Sequence, residues 1–211
     1  NIDPRRYPVG AVRNAISKAK SSLVDLAAYS STVESYYEEV VLRAYERYQG
    51  LLSQSRAVDF DDLLMLVGHL FQRHPDVLDR YRSRYLHLLV DEFQDTNVAQ
   101  YTLAKLLASK YRNICVVGDP DQSIYSWRNA DIRNILSFQR DYPEAKTVNL
   151  TENYRSTQNI LNTAKHLIAT NQSRLQNEMW TNIEPGQPVV IGEAHNEEEE
   201  AKMVVQEVNH L

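Results

Sequence analysis

Two acidic residues follow a short apolar run near the middle of the chain, in the segment VDEFQDTN at residues 90–97. Asp91 and Glu92 come directly after YLHLLV, residues 85–90, whose length and composition predict a buried β-strand. Carboxylate oxygens bind a hard divalent cation such as Mg²⁺, and a neighbouring carboxylate that does not bind the metal can accept a proton from an attacking water. The alternative is that Asp91 or Asp95 only caps the helix that follows.

A second apolar run opens the segment NICVVGDPDQSIYSWRNA, residues 113–130, and again polar residues follow at once. Tyr125 and Trp127, with Arg128 beside them, lie in a polar stretch without helical periodicity. Aromatic rings beside arginine are typical of surfaces that stack the bases of single-stranded nucleic acid, at roughly 1–3 kcal/mol per base. The alternatives are an ordinary Asp-Pro-Asp turn and a tryptophan that belongs to the core.

A third strand is predicted for KTVNL, residues 146–150, which leads into TENYRS, residues 151–156. Arg155 can bind phosphate through its guanidinium while the ring of Tyr154 covers a base. Because ligands of α/β proteins bind beyond the carboxyl ends of parallel strands, the three polar segments predict one shared site.

The wider pattern predicts an α/β fold with a mainly parallel sheet, preceded by an all-helical segment. Residues 1–57 contain no convincing strand, and a helix is clearest at 35–52, with a tyrosine stripe that favours core packing and a stop at Gly50. Beyond residue 58, strands alternate with helices. Helices are predicted at 59–71, 96–110, 131–143, 156–171 and 196–211, and a further strand at 185–194.

Composition is that of an ordinary globular protein, with 43% hydrophobic and 24% charged residues among 211. No apolar run approaches the roughly 20 residues that cross a bilayer, and no signal peptide is recognisable. Cys115, the single cysteine, lies in an apolar run and is predicted to be a core residue. We therefore expect a reducing, cytoplasmic setting.

Net charge neither supports nor excludes a nucleic-acid partner. Residues 190–211 hold six acidic residues and one lysine, which account for the whole net charge of −5. The rest of the chain is balanced, and a polyanion needs only a local basic patch.

Three segments in this order, VDEFQDTN, VGDPDQSIYSWRNA and LTENYRS, resemble motifs II, III and IV of the superfamily 1 DNA helicases of the UvrD/Rep/PcrA type. DFDDLL at residues 59–64 and the opening NIDPRRYP are also similar to that family, so the resemblance covers essentially the whole chain. It implies two RecA-like domains that bind Mg²⁺ and ATP between them. It further implies 3′–5′ movement on single-stranded DNA and unwinding at single-strand/duplex junctions, in repair or replication.

The resemblance also implies roles for individual residues. Asp91 would hold Mg²⁺, and Glu92 would activate the hydrolytic water. Gln122 would contact the γ-phosphate and couple it to DNA binding. Tyr154 would stack on adenine, and Arg155 would act as the arginine finger from the second domain.

For the DNA path, the resemblance implies that Tyr125 and Trp127 line it, with Trp127 stacking on a base. Arg128 would support the link between nucleotide and DNA. Asn129 is a departure, because family members often have glycine there, but asparagine tolerates left-handed backbone geometry better than most residues.

The resemblance divides the chain into a helical insertion at 1–57, the second half of a first RecA-like domain at 58–147, and the start of a second at 148–211. None of the six glycines precedes a lysine, so the phosphate-binding motif GxxxxGK[ST] does not occur in the sequence. We therefore expect an internal fragment of a helicase that hydrolyses ATP negligibly by itself.

Two other functions remain open at this point. One is a metal-dependent nuclease built on four carboxylates, those of Asp91, Glu92, Asp119 and Asp121. The other is a non-catalytic module that binds DNA or protein through a helicase-like surface.

Overall fold

The computed structural model describes residues 3–171 and 178–210, which fall into two compact units, Asn1–Ala145 and Lys146–Leu211. The first two residues of NIDPRRYP and the last residue of the predicted final helix lie outside the described ranges. Within those ranges, no helix is both long and apolar enough to cross a membrane.

The first unit is helical at its start and becomes α/β after residue 87. Its elements are α1 (Val9–Ser21), α2 (Leu26–Ser30), α3 (Tyr36–Gln54), α4 (Phe60–Arg73), α5 (Pro75–Arg84), β1 (Leu88–Val90), α6 (Val98–Ala108), β2 (Ile114–Val116), α7 (Arg133–Leu136) and α8 (Phe138–Asp141). The second unit contains α9 (Gln158–Ile168) and α10 (Glu197–His210).

The helical part packs around apolar residues that α1 and α3 turn toward each other. The buried members of this core are Val12, Ile16, Ala19, Val41 and Tyr45. Tyr45 is fully buried, which confirms that the tyrosine stripe of α3 packs in the core at that position. The predicted stop at Gly50 is wrong, because α3 continues to Gln54. A single glycine costs a helix only about 1 kcal/mol, which packing along α3 can outweigh.

A buried ion pair joins α1 to the start of α4. Asp59 caps α4 by accepting a hydrogen bond from the Asp62 backbone amide, and the Asp62 carboxylate accepts one from the Asp59 backbone amide. The Lys20 ammonium lies 2.8 Å from a carboxylate oxygen of each aspartate. The side chains of Lys20 and Asp62 are wholly buried.

This network shifts the titration of Asp59. Burial alone would raise the pKa of Asp59, but hydrogen bonds from the Lys20 ammonium, the Asp62 amide and the Tyr48 hydroxyl outweigh it, and the pKa is lowered. Because the folded pKa lies below the unfolded value of about 3.9, Asp59 stabilises the fold above that pH. Its contribution is lost as the pH falls through the lower, folded pKa.

Replacing Lys20 by methionine is expected to destabilise the first unit by about 3–5 kcal/mol, since it leaves Asp62 buried without its partner charge. The matched control is Lys18→Met on the exposed side of the same helix, which is expected to change the free energy of unfolding by less than about 0.5 kcal/mol. Urea unfolding of the 211-residue chain, followed by circular dichroism, measures both variants. Equal effects would show that the ion pair does not hold α1 to α4.

The sheet consists of β1 and β2, which run parallel with Leu88 opposite Ile114 and Leu89 opposite Cys115. α4 packs on α1, α5 and α6, and α6 also contacts β1. The parallel pairing of these two strands is confirmed, but each has only three residues. Leu89 is 76% exposed and Cys115 is exposed as well, so the prediction of a core cysteine is wrong. Successive side chains of a strand point to opposite faces, and this pair lies on the open one.

Two predicted strands are absent from the second unit as described. Residues 146–150 and 185–194 contain apolar residues but form no regular strand, and Val148, Leu150, Val190 and Ile191 are largely exposed. A parallel bridge between Glu152 and Trp180 is the β pairing that the structure has in this unit outside residues 172–177. An apolar run becomes a strand only where a neighbouring backbone supplies hydrogen bonds.

Two further helix boundaries differ from expectation. The helix predicted at 131–143 is broken at Ser137 into α7 and α8. α9 begins at Gln158, two residues after the predicted start, and ends at Ile168, three residues before the predicted end.

Candidate nucleotide and nucleic-acid site

The exits of β1 and β2 are tied together by backbone hydrogen bonds. The Val117 amide donates to the Val90 carbonyl at 2.8 Å, and the Phe93 amide donates to the Val117 carbonyl at 2.9 Å. Between them, Glu92 adopts left-handed backbone geometry with φ 49° and ψ 42°, which turns the chain into a 3₁₀ turn at Phe93–Asp95. A positive φ is uncommon in residues other than glycine, and the residues that have one are often found at functional sites.

Phe93 anchors this sharp turn. Its side chain is fully buried, and its ring forms T-shaped contacts with the Tyr101 and Phe138 rings at centroid distances of 5.2 and 5.5 Å. The side chains of Asp91 and Glu92, immediately before it, are exposed. The aromatic anchor therefore fixes the backbone from which both carboxylates project.

Gln94 bridges the two strand exits and is only 1% exposed. Its Nε2 donates to Glu92 Oε2 at 2.8 Å, while its Oε1 accepts from the Asp119 backbone amide at 3.0 Å. A Cβ on Gly118 would lie 2.5 Å from Gln94 Oε1, so a glycine is needed for this close approach. Sequence reasoning assigned no role to Gln94; its signal was an amide within an acidic run that follows an apolar strand.

The loop after β2 contains the Asp-Pro-Asp turn that was one of the alternatives. Asp119 accepts hydrogen bonds from the Asp121 amide at 3.0 Å and from Gln122 Nε2 at 2.8 Å. The exposed side chain of Gln122 is therefore oriented by Asp119 within a 3₁₀ turn at Pro120–Gln122. The Asp-Pro-Asp turn therefore does not exclude a role for Gln122 in a site.

The capping alternative for the first acidic segment is wrong. Asn97 caps α6 by accepting from the Gln100 backbone amide at 2.9 Å, and Gln100 Oε1 accepts from the Asn97 backbone amide. Asp91 instead accepts from the Glu92 amide at 2.9 Å. Local helix capping thus does not account for the two carboxylates.

The aromatic–arginine loop, which we define as Tyr125, Trp127 and Arg128, presents its rings to solvent. The Tyr125 and Trp127 ring centroids are 6.0 Å apart, and the Arg128 guanidinium carbon lies 4.5 Å from the Trp127 centroid. Trp127 is 67% exposed, so the core interpretation of this residue is wrong. An exposed indole with a cation over its face is the arrangement that stacks bases and neutralises phosphates.

In the second unit, Tyr154 and Arg155 occupy a tight turn and are exposed. Asn153 Oδ1 accepts from the backbone amides of Arg155 and Ser156 at 2.9 and 2.8 Å. The Tyr154 hydroxyl donates to Glu152 Oε2 at 2.6 Å, a hydrogen bond that raises the pKa of Tyr154.

Comparison with known families decides the relationship. Residues 1–143 match the family model for the UvrD/REP helicase N-terminal domain. The chain belongs to the UvrD/REP helicase family. Residues 148–211 match the model for the UvrD-like helicase C-terminal domain, so the resemblance seen in the three motifs is confirmed.

Two relatives illustrate the similarity. The ATP-dependent DNA helicase PcrA of Staphylococcus aureus (strain Mu50 / ATCC 700699) is 47% identical over 208 residues. The protein of the same name from Staphylococcus epidermidis (strain ATCC 12228 / FDA PCI 1200) is also 47% identical over 208 residues. Each alignment covers 99% of this chain and 28% of the relative, so the chain spans about a quarter of the length of these proteins.

The carboxylates of this UvrD/REP family member suit a cation that is coordinated partly by the protein and partly by a bound ligand. Within residues 3–171 and 178–210, no three His, Cys, Asp or Glu side chains are grouped so that they could hold a metal ion by themselves. The four carboxylates of the nuclease hypothesis therefore do not form such a centre. Mg²⁺ commonly takes one or two carboxylates together with waters and substrate phosphates, and the exposed Asp91 carboxylate fits that mode.

Proposed function

We propose that the protein containing this chain is an ATP-dependent DNA helicase that moves 3′–5′ on single-stranded DNA and unwinds duplex at junctions. Family membership and the name of the PcrA relatives, ATP-dependent DNA helicase, support it. The observation that carries it is the Gln94 bridge, which links Glu92 to the Asp119 backbone. The loop that begins at Asp119 continues into the aromatic–arginine loop, so a hydrolytic carboxylate is connected to a base-stacking surface.

In this proposal, Asp91 would hold Mg²⁺ through a carboxylate oxygen, and the bound ion would offset the negative charge of the phosphates. Glu92 accepts a proton from the water whose oxygen forms a bond to the γ-phosphorus as the bond to the β–γ bridging oxygen breaks. The hydrogen bond from Gln94 orients the Glu92 carboxylate. Gln122 contacts the γ-phosphate from the neighbouring loop.

The second unit contributes the remaining nucleotide contacts of the proposal. Tyr154 stacks on adenine, and Arg155 stabilises the negative charge that develops on the transferred phosphoryl group. Both are exposed on a turn that Asn153 braces. The two RecA-like domains would then be represented by 58–147 and 148–211, with 1–57 as a helical insertion.

Tyr125, Trp127 and Arg128 form the proposed contact with single-stranded DNA. Base stacking is tolerant of sequence, since every base offers a flat face, and this suits an enzyme that moves along DNA. We place the activity in the cytoplasm, in DNA repair or replication.

Replacing Trp127 by alanine is expected to weaken single-stranded DNA binding about 5- to 150-fold, corresponding to the roughly 1–3 kcal/mol of one stacked base. Phe60→Ala is the matched control, because Phe60 is an aromatic residue 89% exposed at the start of α4 and outside the proposed path. Fluorescence anisotropy of a labelled oligothymidine at one fixed salt concentration measures both variants. An unchanged affinity in Trp127→Ala would show that the indole does not contact the DNA.

A further inference from the structure

The side chain of Asn129 lies between the end of the aromatic–arginine loop and helix α1. Its Nδ2 donates to Ser17 Oγ at 3.2 Å and to Ser21 Oγ at 3.3 Å. These contacts join positions 112 and 108 residues apart in the chain. They connect the loop to the helical start of the first unit.

The backbone at Asn129 does not by itself call for an asparagine side chain. Asn129 has φ 65° and ψ 19°, and its amide donates to the Ser126 carbonyl at 3.0 Å to close the 3₁₀ turn at Ser126–Arg128. Glycine reaches this left-handed region at least as easily. The side-chain amide therefore has a role beyond the turn, which is to donate hydrogen bonds to the two serines.

Helix α1 offers these serines on a firm support. Ser17 and Ser21 are four residues apart and so lie on one face of the helix. Ser21 is 3% exposed and follows Lys20, the buried partner of Asp59 and Asp62. Core packing and the ion pair hold α1 in place, so a side chain bonded to its serines is fixed relative to the unit.

We propose that Asn129 is a positioning residue, which clamps the aromatic–arginine loop to α1 and thereby fixes the orientation of Trp127 and Arg128. The consequence for DNA rests on the proposed function. A pre-oriented indole and guanidinium lose less conformational freedom when they bind, and this increases affinity without a new contact.

The clamp is tested first without DNA or nucleotide. The chain has two tryptophans, so Trp180→Phe leaves Trp127 as the only reporter. In that background, Asn129→Gly and the double variant Ser17→Ala with Ser21→Ala are each expected to increase acrylamide quenching of Trp127 and to lower its fluorescence anisotropy. Combining all three substitutions is expected to add nothing further, because they break the same link.

Two controls separate the clamp from the turn. Asn129→Asp is expected to remain close to the parent, since the serine hydroxyls can donate to its carboxylate. Ser30→Ala with Ser31→Ala, at the end of α2, is expected to leave Trp127 unchanged. Their hydroxyls donate to carbonyls of the same short helix, those of Ala27 and Ala28.

Affinity for oligothymidine is measured on the same variants. Asn129→Gly is expected to weaken it about three- to tenfold, the effect of losing one or two neutral hydrogen bonds. Unchanged quenching and anisotropy in Asn129→Gly, or additive effects of Asn129 and the serines, would overturn the clamp. The variants can also alter the quenching and anisotropy of Trp127 while the unsubstituted chain binds no oligothymidine at any concentration tested. That result would support the clamp and contradict the proposed DNA surface.

Discussion

Alanine in place of Arg155 is expected to lower the DNA-stimulated ATP turnover of the protein that contains this chain by about 10³- to 10⁵-fold, the value of a transition-state arginine. Affinity for single-stranded DNA is expected to stay nearly unchanged, because in the proposed mechanism the guanidinium acts on the phosphoryl group while the aromatic–arginine loop contacts the bases. Turnover is measured under saturating oligothymidine and Mg²⁺-ATP, with DNA affinity measured on the same samples.

The controls for Arg155 test the guanidinium itself. Arg155→Lys keeps the charge but loses the planar fork, so it is expected to recover little of the turnover. Lys202→Ala removes a different exposed cation of the second unit, one that pairs with Glu198 on α10, and is expected to leave turnover unchanged. A near-normal turnover number in Arg155→Ala would rule out the arginine-finger role.

Replacing Glu92 by glutamine is expected to reduce turnover by about 10²- to 10⁴-fold, the usual contribution of a positioned general base. The substitution preserves shape and a side-chain oxygen that can accept from Gln94, but the amide cannot take a proton from water. Binding of ATP and of DNA is therefore expected to persist. Single-turnover hydrolysis separates the chemical step from binding and product release.

A matched control for Glu92 is Asp76→Asn, which neutralises an exposed carboxylate in the first turn of α5. It is expected to hydrolyse ATP at the parent rate. If Glu92→Gln retains the single-turnover rate of the parent, Glu92 is not the base, and the left-handed turn that presents it has another purpose.

The elements with local signals could be predicted from the sequence. Asp59 and Asp62 lie three residues apart and form a capping box, which specifies the start of α4. The apolar runs before Asp91 and Gly118 predict β1 and β2, and their parallel pairing follows from the helix between them. Residue types at the strand exits were sufficient to indicate the family.

The predictions that failed depend on neighbours that a single segment does not reveal. Leu89 and Cys115 are apolar yet lie on the open face of the sheet, and residues 146–150 and 185–194 do not become strands. Burial and pairing are properties of the surroundings of a segment, so periodicity alone cannot fix them.

The links that organise the candidate site were beyond sequence reasoning for a related reason. Gln94 contacts Asp119 across 25 positions, and Asn129 contacts Ser17 across 112. A side-chain hydrogen bond over such a separation has no local pattern. The hydrogen bonds between Gln94 and Asp119 and between Asn129 and Ser17 can therefore be seen only in the folded chain.

The most direct test of the central claim is strand separation by the protein that contains this chain. Duplexes with a 3′ single-stranded tail, a 5′ tail or blunt ends are incubated with Mg²⁺ and either ATP or a non-hydrolysable analogue. We expect the 3′-tailed duplex to be unwound with ATP but not with the analogue, and all DNA strands to remain intact. Strand cleavage in Mg²⁺ without nucleotide, or no ATP-dependent unwinding of the 3′-tailed duplex, would contradict the central claim.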